Sequence, residues 1–150
     1  MTVHCSGTHL TAIFTGRAVP YTRPGSLSAI AKSPVPGPVC VHAGGIEGDE
    51  QGDRRVHGGP DKAIHHYPFE HYGFWRGLHA HPLLETAGAF GENFSSTGWT
   101  EAGIHLADVI RVGTATLQVS QGRQPCWKLN DRFGHPEIAR TMQSSGRTGW

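Results

Sequence analysis

Apolar residues along this chain fall in short runs of period two, broken repeatedly by glycine and proline. "LTAIFTG" (10–16) predicts a strand, and so do "SAIAKSPV" (28–35) and "PVCVHA" (38–43). "GGIEGDEQGD" (44–53) holds too much glycine and acid for regular structure and predicts a loop. "KAIHHY" (62–67) returns to strand alternation. The period then changes: Phe69, Tyr72, Trp75 and Leu78 lie three apart, with Pro68 suited to a first helical position, so 68–79 predicts a short helix weakened by Gly73 and Gly77. "AFGENF" (89–94) reads as an extended piece. In 109–120, Ile110 and Val112 alternate with Arg111, and Ala115, Leu117 and Val119 alternate with threonine and glutamine. This predicts two strands about a tight turn at Gly113. Ile138 and Met142, four apart, predict a helix over 135–143. Strands outnumber helices, so the fold class expected is mainly β: a barrel with a few short inserted helices, rather than a parallel α/β sheet.

Composition narrows the function. The chain of 150 residues is one domain's length, with 37% hydrophobic residues, a net charge of +1 and 21 glycines. That charge offers no strong basic field for nucleic acid, and no apolar run approaches a membrane span. No secretory pattern opens the sequence. Cys5, Cys40 and Cys126 are odd in number and widely spaced, with no CxxC, which points to a reduced, cytoplasmic setting rather than a disulfide framework.

Candidate chemistry collects in three stretches. In "VHGGPDKAIHHY" (56–67), Gly58 and Gly59 permit backbone conformations that aim successive N–H groups at an anion, with His57 and Lys62 as further donors; a glycine turn entering a strand is the competing reading. His65 and His66 are adjacent and face opposite sides of a strand, which argues against both joining one metal site; no HExxH and no paired zinc spacing occur. "FGENFSSTGWTE" (90–101) places Glu92 and Asn93 beside a glycine, where they line a polar pocket or simply end a strand; Ser96 or Thr100 is a candidate helix cap. Asp108 precedes a strand, a position where a carboxylate satisfies turn N–H groups. In "GRQPCWKLN" (122–130), Cys126 sits between Pro125 and Trp127 with Arg123 and Lys128 nearby, cations that favour a thiolate, although a lone cysteine is more often inert. Cys5 and Cys40 have no cationic neighbours and read as bland.

In order, "GDRRVHGGPDKAIHHYP", "FGENFSSTG" and "ADVIRVGTATLQVSQGRQPCWKLN" resemble the MOSC domain family, and within it the stand-alone YiiM-type bacterial proteins. The resemblance runs from about Ile30 to Trp150 and treats 1–150 as a single domain. It implies a MOSC-type β-barrel that binds molybdenum cofactor, a molybdopterin. Cys126 would be the family's characteristic cysteine, catalytic and a molybdenum ligand or sulfur carrier. His57, Gly58, Gly59, Lys62, Asn93, Ser120 and Arg123 would contact the cofactor. The activity implied is reduction of N-hydroxylated compounds, as an oxidoreductase drawing on external electron-donor proteins. The alternative is a carrier of sulfur or cofactor without turnover of its own. A histidine-based metal hydrolase is a third reading, from the residues alone.

Three departures from the family pattern stand out. Gly122 replaces a proline of the cysteine motif, which loosens that loop. Ala107-Asp108 stands where the family commonly has Gly-Asp, altering a turn. The family's chains continue past the position of Trp150 with further strands and a helical domain. That implies a shortened chain with an open sheet edge, self-association, and a helix near Ile138 and Met142 short of packing partners.

Overall fold

The computed structural model describes residues 7–150, so Cys5 lies outside the described residues. Ten strands are described: β1 (His9–Thr15), β2 (Val19–Pro20), β3 (Leu27–Ser28), β4 (Ser33–Pro34), β5 (Val41–His42), β6 (Gly45–Ile46), β7 (His66–Pro68), β8 (Phe94–Thr97), β9 (Val109–Val112) and β10 (Ala115–Gln118). Four α-helices accompany them: α1 (Arg54–His57), α2 (His71–Leu78), α3 (Trp127–Phe133) and α4 (Ile138–Ser145).

The central sheet runs β4-β1-β8-β7. β1 is antiparallel to β4 and β8, while β7 runs parallel to β8 with His66 opposite Phe94. Pro34 cannot donate to a ladder, and it sits on edge strand β4, where that costs least. β2-β3, β5-β6 and β9-β10 are separate two-stranded antiparallel ribbons. The architecture is therefore one of mixed sheets with helices; no closed barrel forms among the described residues.

The core is aromatic. Tyr67, Tyr72, Trp75, Phe90 and Phe133 pack together with Leu84, Leu129, Ile138 and Met142. Polar tips of the buried rings are satisfied: the Trp75 indole N–H donates to Tyr67 Oη at 2.8 Å, and Tyr67 donates to the Arg147 carbonyl at 3.0 Å. Helix α2 buries Tyr72 and Trp75 and leaves its glycines on the exposed side. It begins later than its pattern predicts. Pro68 belongs to β7, and Leu78 is 53% exposed instead of continuing the buried stripe. Helix α4 is well seated, with Ile138 and Met142 1% and 2% exposed, so the expected shortage of packing partners there is not met.

The β9-β10 ribbon forms as its alternation dictates, with Gly113 left-handed at the turn (φ 59°). Elsewhere the strands are shorter than their apolar runs. Residues 28–35 break into β3 and β4, residues 38–43 contribute only β5, and 62–65 are not strand. The acidic loop 44–53 contains β6, and residues 89–93 run from the end of a turn through irregular backbone into β8. Helix α3 occupies a segment in which no helix was expected. Ala107 is the described non-glycine residue with positive φ, at 70°, which is the strain expected where alanine stands in a glycine's place.

Candidate functional site

Cys126 is fixed by its backbone. It is the N-cap of α3, in extended conformation (φ −134°, ψ 172°), and its carbonyl accepts the Leu129 N–H at 3.0 Å. Pro125 restricts the residue before it, and the Arg123 N–H donates to the Gly149 carbonyl at 3.0 Å, tying the approach loop to the end of the chain. The half-buried thiol faces a cavity of about 130 Å³. Ile30, Phe90, Leu129 and Met142 form its apolar wall. Gly91, at φ 75°, brings the backbone close to Ile30; a Cβ there would stand 2.8 Å from Ile30 Cγ1.

The polar wall is built around one buried carboxylate. Asp49 forms an ion pair with Lys32, whose side chains are 1% and 6% exposed respectively. The same Oδ1 accepts the Gly16 N–H at 2.8 Å, and Oδ2 accepts Asn93 Nδ2 at 2.9 Å. Asn93 is itself fully engaged. It donates to the Phe14 carbonyl at 3.1 Å and accepts the His65 N–H at 3.0 Å. Asn93 lines the cavity, yet its amide serves to lock Asp49, β1 and the start of β7 together. Glu92 points the other way, into the core, where it accepts Gly88 N–H at 2.7 Å, Phe90 N–H at 3.0 Å and the Tyr72 hydroxyl.

Cations dominate the rest of the lining. Arg123 donates to the Lys62 carbonyl at 3.2 Å, Lys62 Nζ to the Val56 carbonyl at 2.6 Å, and Lys128 Nζ to the Leu27 carbonyl at 2.7 Å. None of the three is in an ion pair among the described residues. Burial holds the Arg123 guanidinium down to about 10, with the Asp49 charge opposing that shift, so it stays charged at neutral pH. Burial also lowers His57, and the positive charges of Lys128, Lys62 and Arg123 lower it further. His65 is pushed well below the ordinary histidine range, by burial and then by Arg123. Two neutral histidines beside several unneutralised cations make a concave surface suited to an anion. Lys32 spends one of its three donors on Asp49, and Arg123 one of its five on a carbonyl, so both retain donors at the cavity.

Of the residues singled out in the sequence, His57, Lys62, Asn93, Arg123 and Cys126 meet at this cavity, from segments far apart in the chain. Gly58, Gly59 and Ser120 are outside its lining. Gly59, at positive φ (92°), starts the 3-10 turn Pro60–Lys62 and so aims Lys62. The Ser120 hydroxyl donates to the Asp61 carbonyl at 2.7 Å, pinning that turn to the exit of β10. His65 and His66 line different cavities: His65, just before β7, lines this one, and His66, the first residue of β7, lines a second one of about 1000 Å³. Asp108 accepts the His105 N–H at 2.8 Å, the turn role expected of it. Thr100 precedes the 3-10 turn Glu101–Gly103 without a side-chain capping bond. Cys40 is exposed and away from the cavity. Lys32 and Asp49 were missed by sequence reasoning, and His65 was weighed there only as a metal ligand. Lys32 and Asp49 stood inside runs read as strand and loop, 17 residues apart.

A family model described as the MOSC domain matches residues 53–150. The chain belongs to the MOSC domain family. It is 47% identical over 139 residues to protein YiiM of Escherichia coli (strain K12), covering 92% of this chain and 62% of that one. It is 44% identical over 123 residues to the uncharacterized protein YflK of Bacillus subtilis (strain 168), covering 82% and 55%. A protein named reductase from Gibberella moniliformis (strain M3125 / FGSC 7600) is 38% identical over 125 residues, 82% of this chain and 22% of that one. Among solved structures, YiiM from Geobacillus stearothermophilus superposes with a TM-score of 0.76 at 36% identity, covering 95% of this chain and 65% of that one. YiiM from Escherichia coli gives 0.72 at 38%, covering 93% and 58%. This MOSC chain thus spans 55–65% of the YiiM and YflK chains it matches. No described helix is long and apolar enough to cross a membrane.

Proposed function

We propose that this MOSC chain holds molybdenum cofactor in the Cys126 cavity and serves the reduction of N-hydroxylated compounds. The observation that carries the reading is the meeting of one thiol with Lys32, Lys62, Arg123 and His57 around a single cavity. The donor set fits the group. A thiolate is a soft ligand suited to molybdenum, and the spare donors of Arg123 and Lys32 suit a phosphate. When bound, the cofactor supplies the two-electron chemistry. The chain's own residues bind and orient it: Cys126 as sulfur ligand, Arg123 and Lys62 on the anionic end, and the Ile30–Phe90–Leu129–Met142 wall excluding water. His57, kept neutral by burial and then by its cationic neighbours, holds or passes a proton at its ring nitrogen. The net reaction, R–NH–OH + 2e⁻ + 2H⁺ → R–NH₂ + H₂O, needs an electron-donor protein as partner. The mixed sheets are read as part of the family's β-barrel, and the setting as cytoplasmic.

The test is turnover. Protein from a host that makes the cofactor, given a hydroxylamine substrate and chemically reduced methyl viologen, is expected to form the amine. Cofactor present without turnover would instead favour the sulfur or cofactor carrier. Zinc in place of molybdenum would favour the hydrolase.

A further inference from the structure

The cations continue outward from the cavity. Helix α1 carries Arg54 and Arg55, both exposed, on the same short element as the cavity residue His57. Lys62 reaches back to the α1 carbonyl of Val56, Lys128 reaches across to the Leu27 carbonyl, and both line the cavity. Arg54 and Arg55, like Lys62 and Lys128, take part in no ion pair among the described residues. Asp53, Asp61 and Glu50 lie nearby, none of them in an ion pair with these four cations; Glu50 lines the cavity and pairs with Arg17. Asp53 caps α1 by accepting the Arg55 N–H at 3.1 Å, and Asp61 lines the other, larger cavity. Beside Cys126, Arg23 stacks on Trp127 at 3.9 Å, its charge offset by Asp131. Within this cationic rim are two exposed apolar residues, Leu27 and Val56, each 45% exposed.

A positive rim with a small apolar centre, around a buried redox site, has the character of a transient docking face. Such interfaces are small, and charge complementarity governs their rate of encounter more than their affinity. From the charge of this rim we infer that the face formed by α1, Lys62, Leu27 and Lys128 docks an acidic one-electron carrier protein. The inference rests on the reductase reading, which requires two electrons from outside the chain. Docking here brings the carrier over the mouth of the Cys126 cavity.

The experiment reverses charge away from the cavity lining. Arg54→Glu/Arg55→Glu is compared with wild type using two acidic probes, a flavodoxin and a [2Fe–2S] ferredoxin, each chemically reduced, with methyl viologen as the small-molecule control. The variant is expected to keep its viologen-driven rate and to lose about tenfold or more of its rate with the protein donors at ~0.01 M ionic strength. The difference should shrink to about twofold near ~1 M, where the Debye length falls to about 3 Å. Binding of the oxidised probes to the chain, measured by titration calorimetry, should be weakened in parallel. Wild-type rates and binding for the variant with both probes would overturn the inference, as would protein-donor rates that ignore salt. If viologen drives no turnover in wild type, the reductase reading falls. The binding titration still decides the docking face: loss on charge reversal supports it, and equal or absent binding overturns it.

Discussion

Replacing Asp49 by asparagine tests the geometry of the cavity wall. Both carboxylate oxygens accept: Oδ1 takes the Gly16 N–H and the Lys32 ammonium, and Oδ2 takes Asn93 Nδ2. An amide has one acceptor oxygen and one NH₂ group, so either orientation sets the NH₂ against another donor. The charge that balances Lys32 is lost as well, at a site where both side chains are almost fully buried. Removing one partner of a buried pair costs about 3–5 kcal/mol, because the other charge is left uncompensated. That is a large share of the ~5–15 kcal/mol that holds a domain together. Urea unfolding of wild type, Asp49→Asn, Lys32→Met and the double variant measures it. Asp49→Asn should lose about 3–5 kcal/mol, and adding Lys32→Met should recover roughly 1–3 kcal/mol of it, since the stranded ammonium is gone. A loss below ~1 kcal/mol in Asp49→Asn, or no recovery in the double variant, would show that the pair does not organise this wall.

Three further outcomes follow from particular residues. Burial lowers His66 from 6.5 to about 4, so the unfolded chain binds a proton that the folded one refuses; stability from this group is full above pH 6.5 and is lost as pH falls towards 4, by about 3 kcal/mol. Denaturant unfolding at pH 7, 5.5 and 4.5 should give a shallower decline for His66→Gln than for wild type; equal slopes would refute the assignment. Ala107→Gly relieves the φ of 70° and should raise stability by about 0.5–1 kcal/mol in thermal or urea unfolding, with a loss counting against strain at that turn. Arg123→Ala should weaken cofactor retention by about 2–3 kcal/mol and Lys62→Ala by less, because the guanidinium is the more enclosed cation; retention of cofactor by both at wild-type level would refute the anion site.

What the sequence disclosed depended on the range of the interactions. The β9-β10 ribbon was legible because alternation and Gly113 act within a dozen residues. Helices α2 and α4 were legible from Tyr72 with Trp75 and Ile138 with Met142, each pair within one turn. Helix α3 carries the same kind of signal, since Leu129 and Phe133 lie four apart and Gly134 closes the helix in left-handed conformation at φ 60°. It is only seven residues long and follows directly on the cysteine loop, so it reads as a strand exit. The short strands were overextended because apolar runs such as 28–35 bury residues at a bend as well as in a ladder. At the site, Cys126, Arg123, Lys62 and His57 were legible as motif residues. Lys32 and Asp49 were not, because their roles arise from contacts with Gly16 and Asn93, brought together by β1, β4 and β8. Residue patterns announce reactive groups more readily than the buried network that supports them.

The most direct test of the account is the molybdenum and pterin content of the chain purified from a host that makes the cofactor, wild type beside Cys126→Ser. Serine keeps the size and backbone of the α3 N-cap while removing the soft ligand. The account predicts stoichiometric molybdenum with pterin in wild type and loss of the metal in Cys126→Ser, with unchanged circular dichroism. Equal molybdenum in the two proteins, or none in wild type, would contradict it.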